Sequence, residues 1–187
     1  MTPVEPYVTR AGRKLEAALA FFRLDVAGKT ACDLGSHIGG FVDCLLAHGV
    51  ARVYSVDTSY GTLAWKLRND PRVIVMERTN AMHVRLDEPV HLVTADLGWT
   101  RQERFIGHAL TLLTDDGLIL SLLKPQYEAR RDQLARGVVP PECLPQVLEK
   151  TQDAIKALGA SIEGCFRSPL RGRGGNAEYV LLLKRAK

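Results

Sequence analysis

Short apolar runs alternate with amphipathic segments along this chain of 187 residues. Leu15, Ala18, Leu19 and Phe22 recur at the spacing of one helical face, and Thr9 can cap a helix that begins there. Residues 118–123 are an almost unbroken apolar run, which is typical of a strand buried on both faces. The pattern predicts strands at 29–34, 52–57, 72–76, 91–96, 118–123, 161–167 and 177–184, helices at 10–22, 39–48, 60–68, 100–113 and 142–158 (broken near Pro145), and a turn at 115–117.

This regular alternation predicts an α/β fold of the Rossmann-like type, a mostly parallel seven-stranded sheet with helices on both faces. We expect one domain over residues 1–187, in which residues 1–28 form a helical lead-in to the sheet. Two basic stretches, 127–141 and 168–175, show no clear periodicity. We expect them to form mobile rims of a site.

Composition narrows the class of protein only modestly. The hydrophobic fraction of 46% is ordinary for a globular chain, and the net charge of +4 is compatible with a polyanionic partner without identifying one. The four cysteines form no C-x-x-C pair, which favours a reducing compartment and gives no metal site. Because the sequence has neither a signal peptide nor an apolar run of ~20 residues, we expect a cytoplasmic protein with no membrane association.

The most informative stretch is residues 31–41, where an apolar run ends in an acid and a glycine-punctuated turn leads into a helix. Gly35, Gly39 and Gly40 do not match the dinucleotide fingerprint, since His37 occupies the place of its middle glycine. Phe41 follows Gly40 where a phosphate-binding loop would carry Lys-Ser or Lys-Thr. The loop therefore favours a nucleotide-like ligand without a pyrophosphate, such as S-adenosylmethionine.

Charged residues lie at the ends of several apolar runs: Asp33, Asp57, Asp96 and Lys124. In a doubly wound sheet, ligands bind beyond the carboxyl ends of the strands, where these side chains meet. Asp57 lies 22 residues after Gly35, close to the spacing at which an acid reaches ribose hydroxyls. Any one of these charges could simply sit at the solvated end of a strand, but together they favour a site. Lys14 and Glu178, taken alone, are typical surface charges.

Several segments carry a family resemblance, in order along nearly the whole chain: residues 7–19, 33–46, 77–81 and 123–128, with Ser168-Pro169 and the Gly-Asn-Ala-Glu-Tyr sequence at 175–179. The chain resembles the FtsJ-type methyltransferases, and most closely their TlyA (haemolysin A) branch. That resemblance implies a class I methyltransferase fold and S-adenosylmethionine-dependent 2′-O-methylation of RNA ribose, ribosomal RNA being the expected partner.

The resemblance also implies a Lys-Asp-Lys-Glu catalytic tetrad, which falls on Lys14, Asp96, Lys124 and Glu178. Lys124, its ammonium form disfavoured by Lys14 and the cofactor's sulfonium, would accept the hydroxyl proton, and the two acids would orient the lysines and the hydroxyl. Asp57 would bind the cofactor's ribose and Asn80, with Thr79 beside it, its adenine. The implied cofactor-binding residues are Asp33, Gly35, Ser36, Gly39, Gly40, Phe41, Asp57, Thr79, Asn80 and Asp96.

The chain departs from the family pattern in ways that concern the substrate. It begins at the catalytic helix, without the small S4-type RNA-binding domain usual in the TlyA branch, so a separate RNA-binding subunit is one expectation. Leu-Gly-Trp-Thr-Arg follows Asp96 where the family tends to have Val-Ser-Phe-Ile-Ser, and the last glycine motif carries Arg171-Gly-Arg173 in place of Pro-Lys. RNA contacts would come from Trp99 or Tyr127 stacking on a base and from rim arginines, Arg10, Arg13, Arg130, Arg131, Arg136, Arg171 and Arg173.

Other functions stay open at this point. A methyltransferase that acts on a small molecule or a protein would keep the fold and change only the substrate. A non-catalytic protein that binds the cofactor and RNA would keep the same motifs. A membrane-active toxin is disfavoured by the missing export signal and spanning segment, and a dehydrogenase by the glycine spacing.

Overall fold

The computed structural model describes residues 5–172 and 174–186, which form a seven-stranded sheet flanked by helices. The strand order across the sheet is β3-β2-β1-β4-β5-β7-β6. The strands are β1 (Thr30–Leu34), β2 (Arg52–Val56), β3 (Val73–Met76), β4 (Val90–Ala95), β5 (Leu113–Leu123), β6 (Ala160–Arg167) and β7 (Tyr179–Arg185). The helices are α1 (Ala11–Phe22), α2 (Gly40–Ala47), α3 (Trp65–Arg68), α4 (Ile106–Thr111), α5 (Pro125–Glu128) and α6 (Leu144–Ala157), with 3-10 turns at Gln102–Arg104 and Arg131–Gln133.

Strands β1 to β5 pair in parallel, and β7 runs antiparallel to both of its neighbours, β5 and β6. The last pair between β5 and β7 joins Leu123 to Tyr179. The beginning of β7 therefore lies at the same sheet edge as the carboxyl ends of the parallel strands. The predicted mostly parallel, seven-stranded α/β fold is confirmed.

The alternation of side chains along the strands divides the core between the two faces of the sheet. On β1, Ala31 packs in a cluster with helices α1 and α2, whereas its neighbour Cys32 packs in a second cluster with α4 and α6. Since both faces are covered, the strands are apolar on both sides, as expected of a buried parallel sheet. No helix in the described part of the chain is long and apolar enough to cross a membrane.

Local contacts correct several predicted elements. Pro145 does not break α6, because it lies in the first turn, where a helix needs no backbone N–H donor. The predicted helix at 60–68 is only α3, since the preceding loop is held by Asp57 and Glu77 and bends at Gly61, whose φ is 71°. The predicted turn at 115–117 lies inside β5, where pairing with β4 jumps from Val90–Leu113 to Leu92–Leu118 and the intervening residues bulge.

Two further predicted segments are divided differently in the structure. The predicted helix at 100–113 is a 3-10 turn followed by α4, since Gln102 turns inward to bind β5. The stretch 127–141, expected to be irregular, contains the end of α5, a 3-10 turn and an isolated bridge between Ala135 and Val138.

Candidate active site

A cavity of about 590 Å³ opens at the carboxyl edge of the sheet. Its walls come from the carboxyl ends of β1, β2, β3, β4 and β5 and the segments that follow them, with Ala11 at the start of α1 and Thr9 just before it. Most of the predicted site residues line this cavity: Asp33, Gly35, Ser36, Gly40, Phe41, Asp57, Thr79, Asn80, Asp96 and Lys124. A pocket of roughly 300–1,000 Å³ suits a ligand of nucleoside size.

The glycine loop between β1 and α2 forms the floor of the cavity. Gly35 has φ 85°, and a Cβ atom there would lie 3.0 Å from the carbonyl oxygen of Asp96, so a side chain would separate the ends of β1 and β4. Gly39, also at positive φ, does not line the cavity as predicted. Instead it packs against Leu63 and Leu67, where a Cβ atom would lie 2.3 Å from Leu67 Cδ1.

Asp33, the acidic residue of β1, is 1% exposed. Its Oδ1 accepts a 2.6 Å hydrogen bond from Thr94 Oγ1, whereas Oδ2 has no hydrogen-bond partner among the described residues. Burial raises the pKa of Asp33 to about 7, and the charges of Asp96 and Asp57 add to the increase, which the bond from Thr94 opposes only in part. The cavity wall thus holds a buried carboxyl oxygen without a donor, which suits a cationic ligand group.

Asp57 follows β2 and organises the loop around it. Its Oδ2 accepts a 2.8 Å bond from the backbone N–H of His37, and its Oδ1 accepts bonds from the N–H and hydroxyl of Ser59 at 2.7 and 2.6 Å. Burial alone would raise the pKa of Asp57, but these hydrogen bonds outweigh it and hold the pKa below its usual value. Asp57 is therefore an ionised acceptor tied to the glycine loop.

Thr79 and Asn80 follow β3 and lie beside Asp57. The N–H of Thr79 donates to the carbonyl oxygen of Asp57 at 2.9 Å, and Asn80 Oδ1 accepts from the N–H of Met82 at 2.9 Å. The bond between Thr79 and Asp57 holds the segment that follows β3 against the segment that follows β2. The predicted cofactor residues other than Gly39 are thus brought to one cavity.

Lys124 and Asp96 meet at the centre of the sheet edge. Lys124 Nζ lies 2.5 Å from Asp96 Oδ1 in an ion pair whose angles are not those of a hydrogen bond, and it donates to the carbonyl oxygen of Leu97 at 3.2 Å. The side chains are 14% and 20% exposed, so both remain accessible from the cavity. This places an amine and a carboxylate at the point where β4 and β5 end.

Lys14 and Glu178 form a second, more deeply buried ion pair. Their side chains are 7% and 4% exposed, and Lys14 Nζ donates to Glu178 Oε2. Neither residue is among the described residues that line the cavity. Glu178 directly precedes Tyr179, and Lys124 directly follows Leu123, so the two residues adjoin the last pair of the β5–β7 ladder. Lys14 and Glu178 are thus neither surface charges nor wall residues, but a buried pair at the end of the β5–β7 ladder, which Lys124 also adjoins.

Aromatic side chains stand at the mouth of the cavity. Trp99 is 89% exposed and lies 5.9 Å from the ring of Tyr127, and both line the cavity. Trp99 also has φ 50°, a conformation that bulky residues rarely adopt. The predicted RNA-binding arginines that the structure describes are all exposed, but none lines the cavity: Arg10, Arg13, Arg130, Arg131, Arg136 and Arg171. Arg173 lies outside the described residues.

Some of these arginines already have protein partners. Arg13 lies 3.5 Å from Glu5, Arg130 lies 2.9 Å from Asp132, and Arg171 donates to the carbonyl oxygen of Gly175. A polyanion would have to compete for the first two. The structure therefore brings the cofactor residues together but leaves the arginines dispersed over the surface.

The structure also shows residues that the sequence pattern did not point to. Gln102 is 3% exposed and binds both β5 and Glu128. Burial raises the pKa of Glu128 to about 7, while its bond from the Gln102 N–H acts in the opposite direction. The spacing of apolar residues in 100–113 predicts a helix and does not indicate that Gln102 contacts β5 and Glu128. Among the described residues no group of histidine, cysteine and acidic side chains is arranged to hold a metal ion.

Comparison with known proteins agrees with this geometry. The sequence profile of the FtsJ-like methyltransferases matches residues 7–185. The chain is 38% identical to the 16S/23S rRNA (cytidine-2'-O)-methyltransferase TlyA of Mycobacterium tuberculosis, over 95% of this chain and 68% of that protein. It is 33% identical to Hemolysin A of Brachyspira hyodysenteriae, over 93% of this chain and 75% of that protein.

A solved structure from Streptococcus thermophilus, described as a "putative hemolysin", superposes with a TM-score of 0.95 at 33% identity. The match covers 100% of this chain and 70% of that one, so the chain spans about two thirds of the length of these relatives. Sequence profile, relatives and fold agree, and the chain belongs to the FtsJ-like methyltransferase family.

Proposed function

We propose that the protein transfers a methyl group from S-adenosylmethionine to a ribose 2′-oxygen of RNA, with Lys124 as the base. The observation that carries this proposal is the amine of Lys124, paired with Asp96, at the wall of the cavity that Asp33 and Asp57 also line. The relative named TlyA is a 16S/23S rRNA (cytidine-2'-O)-methyltransferase, which supports ribosomal RNA as the substrate class.

The cavity fits S-adenosylmethionine in its size and in its polar groups. The buried Asp33 Oδ2, which has no donor among the described residues, suits the cofactor's ammonium group. The ionised Asp57 suits the ribose hydroxyls, and Thr79 and Asn80 border the adenine end. When bound, S-adenosylmethionine supplies an electrophilic methyl group on a cationic sulfur.

Lys124 supplies the group that a ribose hydroxyl needs in order to react. A hydroxyl is a poor nucleophile until its proton has an acceptor, and a neutral amine within hydrogen-bond reach can take that proton. Asp96 and the carbonyl oxygen of Leu97 fix the position of Lys124 Nζ. The buried Lys14–Glu178 pair supports the strand end that adjoins Lys124, since Glu178 directly precedes the Tyr179 that pairs with Leu123. General-base catalysis of this kind contributes about 10²–10⁴-fold.

An RNA substrate agrees with the mouth of the cavity. The exposed Trp99, near Tyr127, offers a face on which an unstacked base can stack. Arg131 and Arg171 are exposed but do not line the cavity, so they offer a phosphate backbone contacts only outside it. A small-molecule substrate would leave this exposed aromatic face unused.

The test is methyl transfer from labelled S-adenosylmethionine to isolated ribosomal RNA and ribosomal subunits. We expect label that is removed by nuclease and that remains in alkali-resistant dinucleotides, since alkaline cleavage requires a free 2′-hydroxyl. Label in alkali-sensitive nucleotides would mean base methylation and would overturn the ribose assignment. Label only in protein or small molecules would favour a methyltransferase that acts on those substrates. Cofactor binding without methyl transfer would favour a non-catalytic protein.

A further inference from the structure

The position of the Lys124 amine depends on the loop that follows β4. This loop, residues 97–101, supplies the carbonyl oxygen of Leu97, which accepts from Lys124 Nζ at 3.2 Å. It directly follows Asp96, whose Oδ1 lies 2.5 Å from the same amine. The loop also carries the exposed Trp99. A shift of the loop would therefore move the partners of Lys124 and the aromatic mouth together.

Gln102 fastens the far end of this loop to the segment that carries Lys124. Its Nε2 donates to the carbonyl oxygen of Leu122 at 3.2 Å, and its Oε1 accepts from the hydroxyl of Ser121 at 2.6 Å. Gln102 and Ser121 are 3% and 0% exposed, so these bonds are protected from water. Glutamine carries an acceptor and a donor on one amide, which this arrangement uses on two consecutive residues of β5.

Glu128 completes the connection on the other side of Lys124. Its Oε1 accepts a 2.8 Å bond from the backbone N–H of Gln102. Along the chain, Lys124 lies between Leu122 and Glu128, both of which bind Gln102. Lys124 thus binds the start of the loop. Gln102, at the end of the loop, binds residues that precede Lys124 in the chain (Ser121 and Leu122) and one that follows it (Glu128).

We propose that Gln102 and Glu128 are positioning residues, which hold the 97–101 loop against the end of β5 and so fix the amine of Lys124 at the reaction site. The catalytic meaning of this inference rests on the proposed function. Misplacing a catalytic group by about 1 Å can cost on the order of 10²-fold in rate, so loosening of this loop is measurable.

The experiment compares Gln102→Met and Glu128→Met, which remove the bonds at similar side-chain length, with Glu128→Gln, which keeps an acceptor oxygen. Gln146→Met is the matched control, because Gln146 is exposed on α6 and bonds only to Gln133 among the described residues. Three quantities are measured: the single-turnover methylation rate across pH, the affinity for S-adenosylmethionine, and amide hydrogen exchange of residues 97–104 in the absence of RNA.

We expect Gln102→Met and Glu128→Met to lower the single-turnover rate at least about tenfold and to displace its pH profile, with cofactor affinity within about threefold of the parent. Exchange should accelerate within 97–104 and stay unchanged in β1 and β2. Glu128→Gln and Gln146→Met should retain the parental rate. A purely structural role predicts a lower melting temperature with an unchanged rate per folded molecule and an unchanged pH profile, which would overturn the inference.

The two proposals can fail separately. If the parent protein transfers no methyl group to RNA, the proposed function fails, and hydrogen exchange still decides whether Gln102 and Glu128 hold the loop. If the parent is active but both methionine variants keep its rate and its exchange pattern, only the positioning inference is overturned. If Gln102→Met does not fold, the contrast between Glu128→Met and Glu128→Gln carries the test.

Discussion

Lys124 Nζ lies 2.5 Å from Asp96 Oδ1, and each residue directly follows the last residue of its strand, β5 and β4 respectively. These two strands are neighbours and pair in parallel, so their carboxyl ends meet at one edge of the sheet. The pairing of an amine with a carboxylate at this site is thus a consequence of strand order. The two side chains meet because the apolar runs of β4 and β5 end directly before Asp96 and Lys124.

Replacing Lys124 tests the proposed base directly. Lys124→Met keeps the length of the side chain and removes the amine, so single-turnover methylation of RNA should fall by about 10²–10⁴-fold. Affinity for S-adenosylmethionine, measured by calorimetry, should stay within about threefold of the parent value, because the groups proposed to bind the cofactor's ammonium, ribose and adenine lie at the ends of β1, β2 and β3. Lys150→Met on the exposed face of α6 serves as the control. Normal turnover by Lys124→Met would exclude a general-base role for this amine.

Strand ends are the part of the site that the sequence could predict. Asp33, Asp57, Asp96 and Lys124 each follow an apolar run, and parallel strands must end at a common edge, so their meeting follows from the hydrophobic pattern and the fold class. The glycine spacing likewise indicated a loop close to the cavity. Both features depend on residues that are close together in the sequence, so the sequence pattern was enough to predict them.

Contacts between distant segments are the part that the hydrophobic pattern could not predict. Taken alone, Lys14 and Glu178 resemble surface charges; only the family resemblance grouped them, and the packing of α1 beside the start of β7 buries them together. Gly39 matches a cofactor motif but packs on α3 side chains, which periodicity does not reveal. Gln102 lies in an apparently helical stretch and turns inward because Ser121 and Leu122 offer it partners.

Removing one partner of the buried Lys14–Glu178 pair should destabilise the protein more than removing both. Lys14→Met leaves the carboxylate of Glu178 buried without a counter-charge, and removing one partner of such a pair typically costs about 3–5 kcal/mol. Glu178→Met leaves a buried ammonium group and should cost a similar amount. The double variant leaves no uncompensated charge and should be more stable than either single variant. Urea unfolding of the four proteins measures this, and additive losses in the double variant would show that the pair is not coupled.

Cofactor binding should release a proton from Asp33. Burial holds the pKa of Asp33 at about 7, above its ordinary value of 3.8, and an ammonium group beside its free oxygen would stabilise the carboxylate. Affinity for S-adenosylmethionine should therefore rise as pH increases from about 6 to 8. Calorimetry in buffers of different ionisation enthalpy measures the proton release near pH 7. A binding enthalpy that is the same in all buffers would contradict an ammonium group at Asp33.

Asp33→Asn provides the control for that prediction. It also tests how Asp33 makes the free energy of unfolding depend on pH. Between about pH 4 and 7 the folded state binds a proton at Asp33 more tightly than the unfolded state does, so raising the pH lowers the free energy of unfolding through this group. The asparagine variant lacks this contribution, and the stability difference between parent and variant should change with pH in that range. A difference that stays constant would mean that Asp33 is ionised in the folded protein throughout.

Asn176 should hold the connection between α5 and α6 against the segment that precedes β7. It is 4% exposed, its Oδ1 accepts from the N–H of Val139 at 3.0 Å, and its Nδ2 donates to the carbonyl oxygen of Gly137 at 3.0 Å. Asn176→Ala leaves the buried N–H of Val139 without an acceptor, at a cost of about 1–3 kcal/mol. Because both partners lie in one connection between helices, this cost should appear as local opening.

Limited trypsin digestion measures that opening, since the connection held by Asn176 carries Arg130, Arg131 and Arg136 on its exposed surface. Asn176→Ala should be cleaved there several-fold faster than the parent under native conditions, while cleavage elsewhere is unchanged. Asn69→Ala is the control, because Asn69 is exposed and its side chain donates only to the carbonyl oxygen of Trp65 among the described residues. Equal cleavage of the parent and Asn176→Ala would show that the remaining contacts of this connection, Val139 packing among them, hold it closed without the asparagine.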